Sequence, residues 1–117
     1  MTNRYDKMED YILSVFNVFQ MVNRKAEQKQ DKRLKMIGLT IFNYVRYMAK
    51  EYEIKLKDII EPEKINLIPI FEYVSVNNIE FLDFSSININ DIDINKKEDL
   101  ERFVLSHIYY ITQTSRN

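Results

Sequence analysis

Apolar residues recur over residues 5–22 at alternating spacings of three and four: Tyr5, Met8, Ile12, Val15, Phe19, Val22 and then Ala26. That period predicts a helix. Tyr11, Leu13, Phe16, Val18 and Met21 fill most of the remaining circumference, and only Asp10, Ser14, Asn17 and Arg24 form a polar stripe. A helix apolar nearly all round is normally buried on several sides. Residues 34–52 repeat the pattern. Leu34, Ile37, Ile41, Tyr44 and Met48 form one face, with Met36, Leu39, Phe42, Val45 and Tyr47 beside it. Lys35, Asn43, Arg46 and Lys50 make the wet side. Gly38 stands inside this helix, where it costs up to about 1 kcal/mol relative to Ala; a close approach of another helix would justify it.

Between the two lies NRKAEQKQDKR, residues 23–33, with no strong helix breaker and with Asp31 as a candidate cap for the second helix. The apolar phase slips by one residue across this stretch. That favours a helical hairpin over one helix of about fifty residues, a length globular helices rarely reach.

The second half changes period. Ile54, Leu56, Ile59 and Ile60 predict a short helical turn ending at Glu61-Pro62, and Pro69 excludes an uninterrupted central strand at its own position. Residues 70–76 and 79–84 read as a β-hairpin. Phe71, Tyr73, Val74, Val76, Ile79, Phe81 and Phe84 are strand formers, and Asn77-Asn78 can supply the positive backbone angles of a tight turn. Residues 87–94 alternate by two through Ile87, Ile89, Ile92 and Ile94, with a bulge or turn near Asn90-Asp91. The last helix starts at Asn95, a capping residue with Glu98 three positions on, and carries Leu100, Phe103, Val104, His107, Ile108 and Ile111 on one face. The expected fold class is α+β: an N-terminal helical hairpin, a small antiparallel sheet of two or three strands and a C-terminal amphipathic helix. Residues 1–117 are expected to form a single domain.

Composition narrows the chemistry. The absence of Cys removes thiolate nucleophiles and thiolate metal sites, and one His removes His-rich ones. One Gly removes glycine-rich phosphate loops. Phe, Tyr, Met, Ile, Asn and Lys, with AT-rich codons, number 58 against 11 for Gly, Ala, Arg and Pro. That bias points to an AT-rich genome: a low-GC bacterium, its phage or plasmid, or a comparable virus. MTNRYDKMED is charged and unlike a signal peptide, and the first apolar run is interrupted by Ser14, Asn17 and Gln20. A cytoplasmic location, in a host cell if the source is viral, is therefore expected, with no membrane partner.

The net charge of −1 conceals an asymmetry: residues 1–50 carry +5 and residues 51–117 carry −6. Basic charge concentrates at Arg24, Lys25, Lys29, Lys32, Arg33 and Lys35, against Glu27 and Asp31. Such a cluster suits phosphates, because Lys and Arg release counterions from a nucleic-acid backbone. It equally suits a solvated connection between helices. MAKEYEIKLKDII resembles a helix-turn-helix over about a dozen residues, with Met48, Ala49, Tyr52, Ile54 and Ile59 at its small or apolar positions. It departs from the motif at Glu53, where Gly is usual, at Pro62, which shortens the recognition helix, and at Asp58, Glu61 and Glu63, which would meet phosphates with the wrong sign.

Asp91, Asp93, Asn95 and Asp99 offer alternating oxygen ligands for a hard cation. Lys96 and Arg102 occupy the places that a calcium loop gives to Gly and to a bidentate Glu, so no metal is expected. His107 sits among Phe103, Val104, Ile108 and Ile111, which suits a packed or interfacial imidazole, and Ser106 beside it points elsewhere on a helix. No nucleophile, base or cofactor constellation stands out, so neither an enzyme nor a cofactor is expected.

The strongest positive feature is the excess of large apolar side chains in the two N-terminal helices. Exposed aromatic-rich patches mark interaction surfaces. The expected function is a non-enzymatic protein-interaction module, a homo-oligomer (by default a homodimer) or a subunit of a larger assembly, of phage or plasmid origin. Tyr11, Phe16, Phe42, Tyr44 and Tyr47 would supply contact area. The alternative is a small nucleic-acid-binding or regulatory protein using residues 24–35.

Overall fold

The computed structural model describes residues 7–56, 65–86 and 92–115. The chain divides into two compact units, Met1–Asn77 and Asn78–Asn117. Four helices are described: α1 (Met8–Lys29), α2 (Lys32–Glu51), α3 (Ile68–Val76) and α4 (Lys97–Ser115). Among the described residues there is no strand, so the fold is helical and not α+β.

In the first unit α1 and α2 form an antiparallel hairpin. Helix α1 is the more deeply covered, with Met8, Tyr11, Ile12, Ser14, Val15, Phe16, Val18, Val22 and Ala26 all buried. Its first turn carries Glu9 and Asp10, which suit the positive end of the helix dipole. Helix α2 buries one face only, through Gly38, Ile41, Tyr44, Val45, Met48 and Ala49. The apolar wrap expected of both helices therefore holds for α1 and not for α2.

The connection between them is two residues long. At the end of α1, Asp31 N–H donates to Ala26 O (3.0 Å) and Gln30 N–H to Glu27 O (3.3 Å), with Gln30 left-handed at φ 51°. This is the Schellman arrangement that satisfies the last helical carbonyls. Asp31 then caps α2 at once, its carboxylate accepting from Leu34 N–H at 3.1 Å. Helix α2 ends in the same way. Ile54 N–H donates to Ala49 O and Glu53 N–H to Lys50 O, with Glu53 at φ 54°. Left-handed backbone costs most residues with a Cβ roughly 1–2 kcal/mol, and here Gln30 and Glu53 bear it, whereas Asn78 is of a type that adopts it more readily. The chain's one glycine is spent elsewhere: Gly38 is buried where α2 meets α1 beside Val22.

Residues 68–86 form no β-hairpin. The segment expected as the first strand of a hairpin is α3, which packs on α1. Pro69 lies in its first turn, where a missing N–H costs nothing. Asn77 ends it, with its side-chain amide donating to Tyr73 O at 2.9 Å, and Asn78 follows at φ 53°. The positive angle read as a β-turn thus belongs to a helix terminus. Residues 54–56 are not helical, whereas a helix-turn-helix would begin its recognition helix there. Of the helical turn expected from Ile54 to Pro62, residues 54–56 are therefore not helical and the rest lies outside the described residues, as does most of the third strand, 87–91.

In the second unit the segment expected as the other strand, 79–84, finds its partners on a helix. Arg102 Nε donates to Glu80 O (3.1 Å), Leu82 N–H to Ser106 Oγ (2.8 Å) and Tyr110 OH to Leu82 O (3.1 Å). Arg102, Ser106 and Tyr110 stand one turn apart on α4, about 6 Å each. They give alternate residues 80 and 82 the bonds that a neighbouring strand would give. Phe81 stacks on Tyr109 (4.5 Å). Asp83 closes the following turn, accepting from the N–H and Oγ of Ser85; these bonds hold its carboxyl below the ordinary 3.8. Its contribution is therefore present above that value and is lost as pH falls through the lower folded one. The turn before α4 is held by Asp93 Oδ1 accepting from Asn95 N–H and by Asp99 Oδ2 accepting from Asp93 N–H. The helix itself starts at Lys97, two residues after the expected cap.

Two substitutions test this packing. A Cβ at Gly38 would meet Val22 Cγ1 at 3.4 Å, an ordinary contact. In urea unfolding, Gly38→Ala should therefore gain up to about 1 kcal/mol from helix propensity, whereas Gly38→Leu should lose about 1–3 kcal/mol by overpacking. Ser106→Ala leaves the Leu82 N–H without its acceptor; a loss of about 1–3 kcal/mol and faster amide exchange at Leu82 are expected.

Candidate interaction surface

The five aromatic residues expected to supply contact area separate into core and surface. Tyr11, Phe16 and Tyr44 are buried. Tyr11 and Tyr44 share a hydrogen bond between their hydroxyls at 2.6 Å, and the Tyr11 ring stacks on Tyr73 at 3.9 Å. Their area is thus used inside the first unit. Phe42 is half-buried and stacks on Phe19 (4.8 Å), which in turn lies 5.9 Å from Phe16. Tyr47 alone is exposed, at 48 %.

Tyr47 has company. Met36 (63 % exposed) and Leu39 (46 %) stand on the same outward face of α2, opposite the buried one. Asn43, Arg46 and Lys50 complete the face, all exposed. The Arg46 guanidinium lies over the Phe42 ring, 5.8 Å from the centroid, and Phe42 in turn stacks on Phe19. At the C-terminal end of the face lies an open groove of about 440 Å³, lined by Asn43, Arg46, Tyr47, Lys50, Ile54 and Leu56. Its far wall exists because left-handed Glu53 turns the chain after α2, bringing Ile54 and Leu56 beside the last turns.

The six basic residues gather at the hairpin tip. Arg24, Lys29, Lys32, Arg33 and Lys35 are exposed and Lys25 is half-buried. None is paired with a carboxylate among the described residues; Lys7 at the start of α1, by contrast, pairs with Glu72 at 3.8 Å. Asp31 stands at the centre of the tip, but its carboxylate accepts the Leu34 amide. Lys32 and Lys35 continue directly onto the α2 face, so the tip and the apolar stripe form one surface.

Sequence reasoning placed Lys35, Asn43, Arg46 and Lys50 on the wet side of the helix. It missed Met36 and Leu39 as surface residues because it counted them with a second apolar stripe. Their interleaving with the cations was the available signal.

Other candidates resolve into structural roles. His107 Nδ1 lies 3.0 Å from Phe103 O and must donate to it, since a carbonyl oxygen can only accept; the ring sits 4.4 Å from both Phe84 and Phe103. Ser106 Oγ is committed to Leu82. Among the described residues no group of three His, Cys, Asp or Glu side chains could hold a metal ion; Asp91 lies outside them. No described helix is long and apolar enough to cross a membrane. Compared with known protein families, curated proteins and solved structures, the chain matches none of them.

Proposed function

We propose that the protein is a non-enzymatic protein-interaction module, part of an assembly, that docks another chain on the outward face of α2. The observation that carries this reading is the exposure of Met36, Leu39 and Tyr47 together on one helix face. Large apolar side chains left in water at neighbouring positions gain from being covered, and Tyr, Met and Arg are the types enriched in interface cores. The groove beside Tyr47 adds concavity to a surface that would otherwise be flat. The face stands on a regular helix whose opposite side is core, so it is preorganised.

A second reading rests on the tip. Six cations with no carboxylate partner among the described residues, around a two-residue turn, would also suit a nucleic-acid backbone. The two readings differ in which side chains matter.

An apolar dye and a labelled DNA duplex separate them. The wild-type chain should enhance the fluorescence of anilinonaphthalene sulfonate, and a Met36→Ser, Leu39→Ser, Tyr47→Ser variant should lose that enhancement while keeping its melting temperature. Unchanged dye binding in the variant would remove the docking face. A duplex shift at low salt, abolished by Lys25→Glu, Lys29→Glu, Lys32→Glu and Arg33→Glu but untouched by the three Ser substitutions, would put the nucleic-acid reading in its place.

A further inference from the structure

The outward face of α2 is cationic at both ends, with an uncharged stretch between them over residues 36–45. Lys32, Lys35, Arg46 and Lys50 flank the apolar stripe, and no carboxylate stands among the exposed positions of the helix before Glu51. This decides against one occupant. Two copies of the face packed by a two-fold axis would bring Lys32 of one copy toward Lys50 of the other, along with the remaining cations. An isologous contact repeats its own charges, and like charges across an interface oppose it.

Resting on the interaction reading above, we infer that the face receives an acidic amphipathic helix of a partner protein. The spacing fits a helix. Leu39, Asn43 and Tyr47 follow Met36 by three, seven and eleven residues, a stripe about 16 Å long at 1.5 Å per residue. One helix reads another through anchors at this period. The groove beside Tyr47 takes one large apolar side chain of the partner against Ile54 and Leu56, and Arg46 and Lys50 take the carboxylates beside it. The Phe42 ring under Arg46 favours that placement of the guanidinium before the partner arrives. A nucleic-acid duplex fits less well. Met36 and Leu39 lie between the cations, where phosphates would meet them, and apolar side chains gain nothing from phosphate. A membrane surface asks for a broader apolar face than three side chains interrupted by Asn43.

The test uses the full chain and fluorescein-labelled synthetic helices of about five turns. One carries Leu at three-and-four spacing with Glu flanks. A second has the same stripe with Lys flanks, and a third is the acidic composition scrambled. Anisotropy should show saturable binding of the acidic striped peptide, about tenfold or more tighter than the other two, and weakened about tenfold by Tyr47→Ala. Arg46→Glu with Lys50→Glu should invert the preference toward the Lys-flanked peptide, which a merely unfolded variant would not do. Equal binding of Glu- and Lys-flanked peptides, lost in Tyr47→Ala, would overturn the acidic partner and leave the interaction reading standing. No binding of either would overturn both. Displacement of the acidic peptide by duplex DNA or phosphatidylserine vesicles, with their binding unaffected by Tyr47→Ala, would overturn the proposal in favour of phosphate chemistry.

Discussion

Two tyrosines on adjacent helices meet hydroxyl to hydroxyl in the middle of the first unit. Tyr11 and Tyr44 are both fully buried, so neither hydroxyl has bulk water as a partner. Burying such a group unpaired is costly, and the 2.6 Å bond between them offsets that cost for both at once. It also fixes the register of α1 against α2, because only one pairing of the helices brings the two oxygens together. Tyr73 of α3 stacks on Tyr11 from a third element, so one polar contact and one ring contact tie three helices. Which way α2 faces follows from this. With Tyr44, Ile41, Val45 and Met48 turned inward, the opposite side of a 3.6-residue helix must point outward. Met36, Leu39 and Tyr47 stand on that side.

The same node explains what was legible in the sequence. The hairpin could be read because its period is long and because Asp31 carries a capping chemistry that the structure uses. The function of its aromatics could not. Tyr11, Tyr44 and Tyr47 look alike in a list of apolar positions, and only the mutual satisfaction of two hydroxyls, a contact between residues 33 positions apart, tells core from surface. Helix α3 was misread for a local reason. IPIFEYVSV is rich in β-branched and aromatic residues, which favour strands, and the helix draws its stability from burying Pro69, Ile70 and Tyr73. Pro69 in the first turn and Asn78 after the last were legible signs of helix ends. Both also fit a strand-and-turn reading, so tertiary burial decided.

Residues 79–84 failed for a non-local reason. A segment of strand-forming residues needs partners for its backbone, and sequence pattern does not say which element supplies them. Here α4 does so through side chains one turn apart, with Ser106 buried and committed to the Leu82 amide. Ser106 neighbours the only imidazole in the chain, and the two side chains, pointing in different directions on the helix, serve separate partners, Leu82 and Phe103. At the α2 face the charge pattern was legible as a wet side, and its apolar members were not. A stripe of Met, Leu and Tyr set among Lys and Arg satisfies the helical period whether it faces the core or the solvent.

Which tyrosines the hairpin keeps inside therefore decides which face of α2 stays open. Tetranitromethane modification of the native chain, read residue by residue by mass spectrometry, measures this without any partner. The structure predicts fast nitration of Tyr47, 48 % exposed, and protection of Tyr11, Tyr44 and Tyr73, at 0 %, 1 % and 6 %. Nitration of Tyr11 or Tyr44 in the folded chain, with Tyr47 protected at high dilution, would contradict it: the aromatic surface would then lie on the other side of the hairpin, and the outward face of α2 would not be the docking surface.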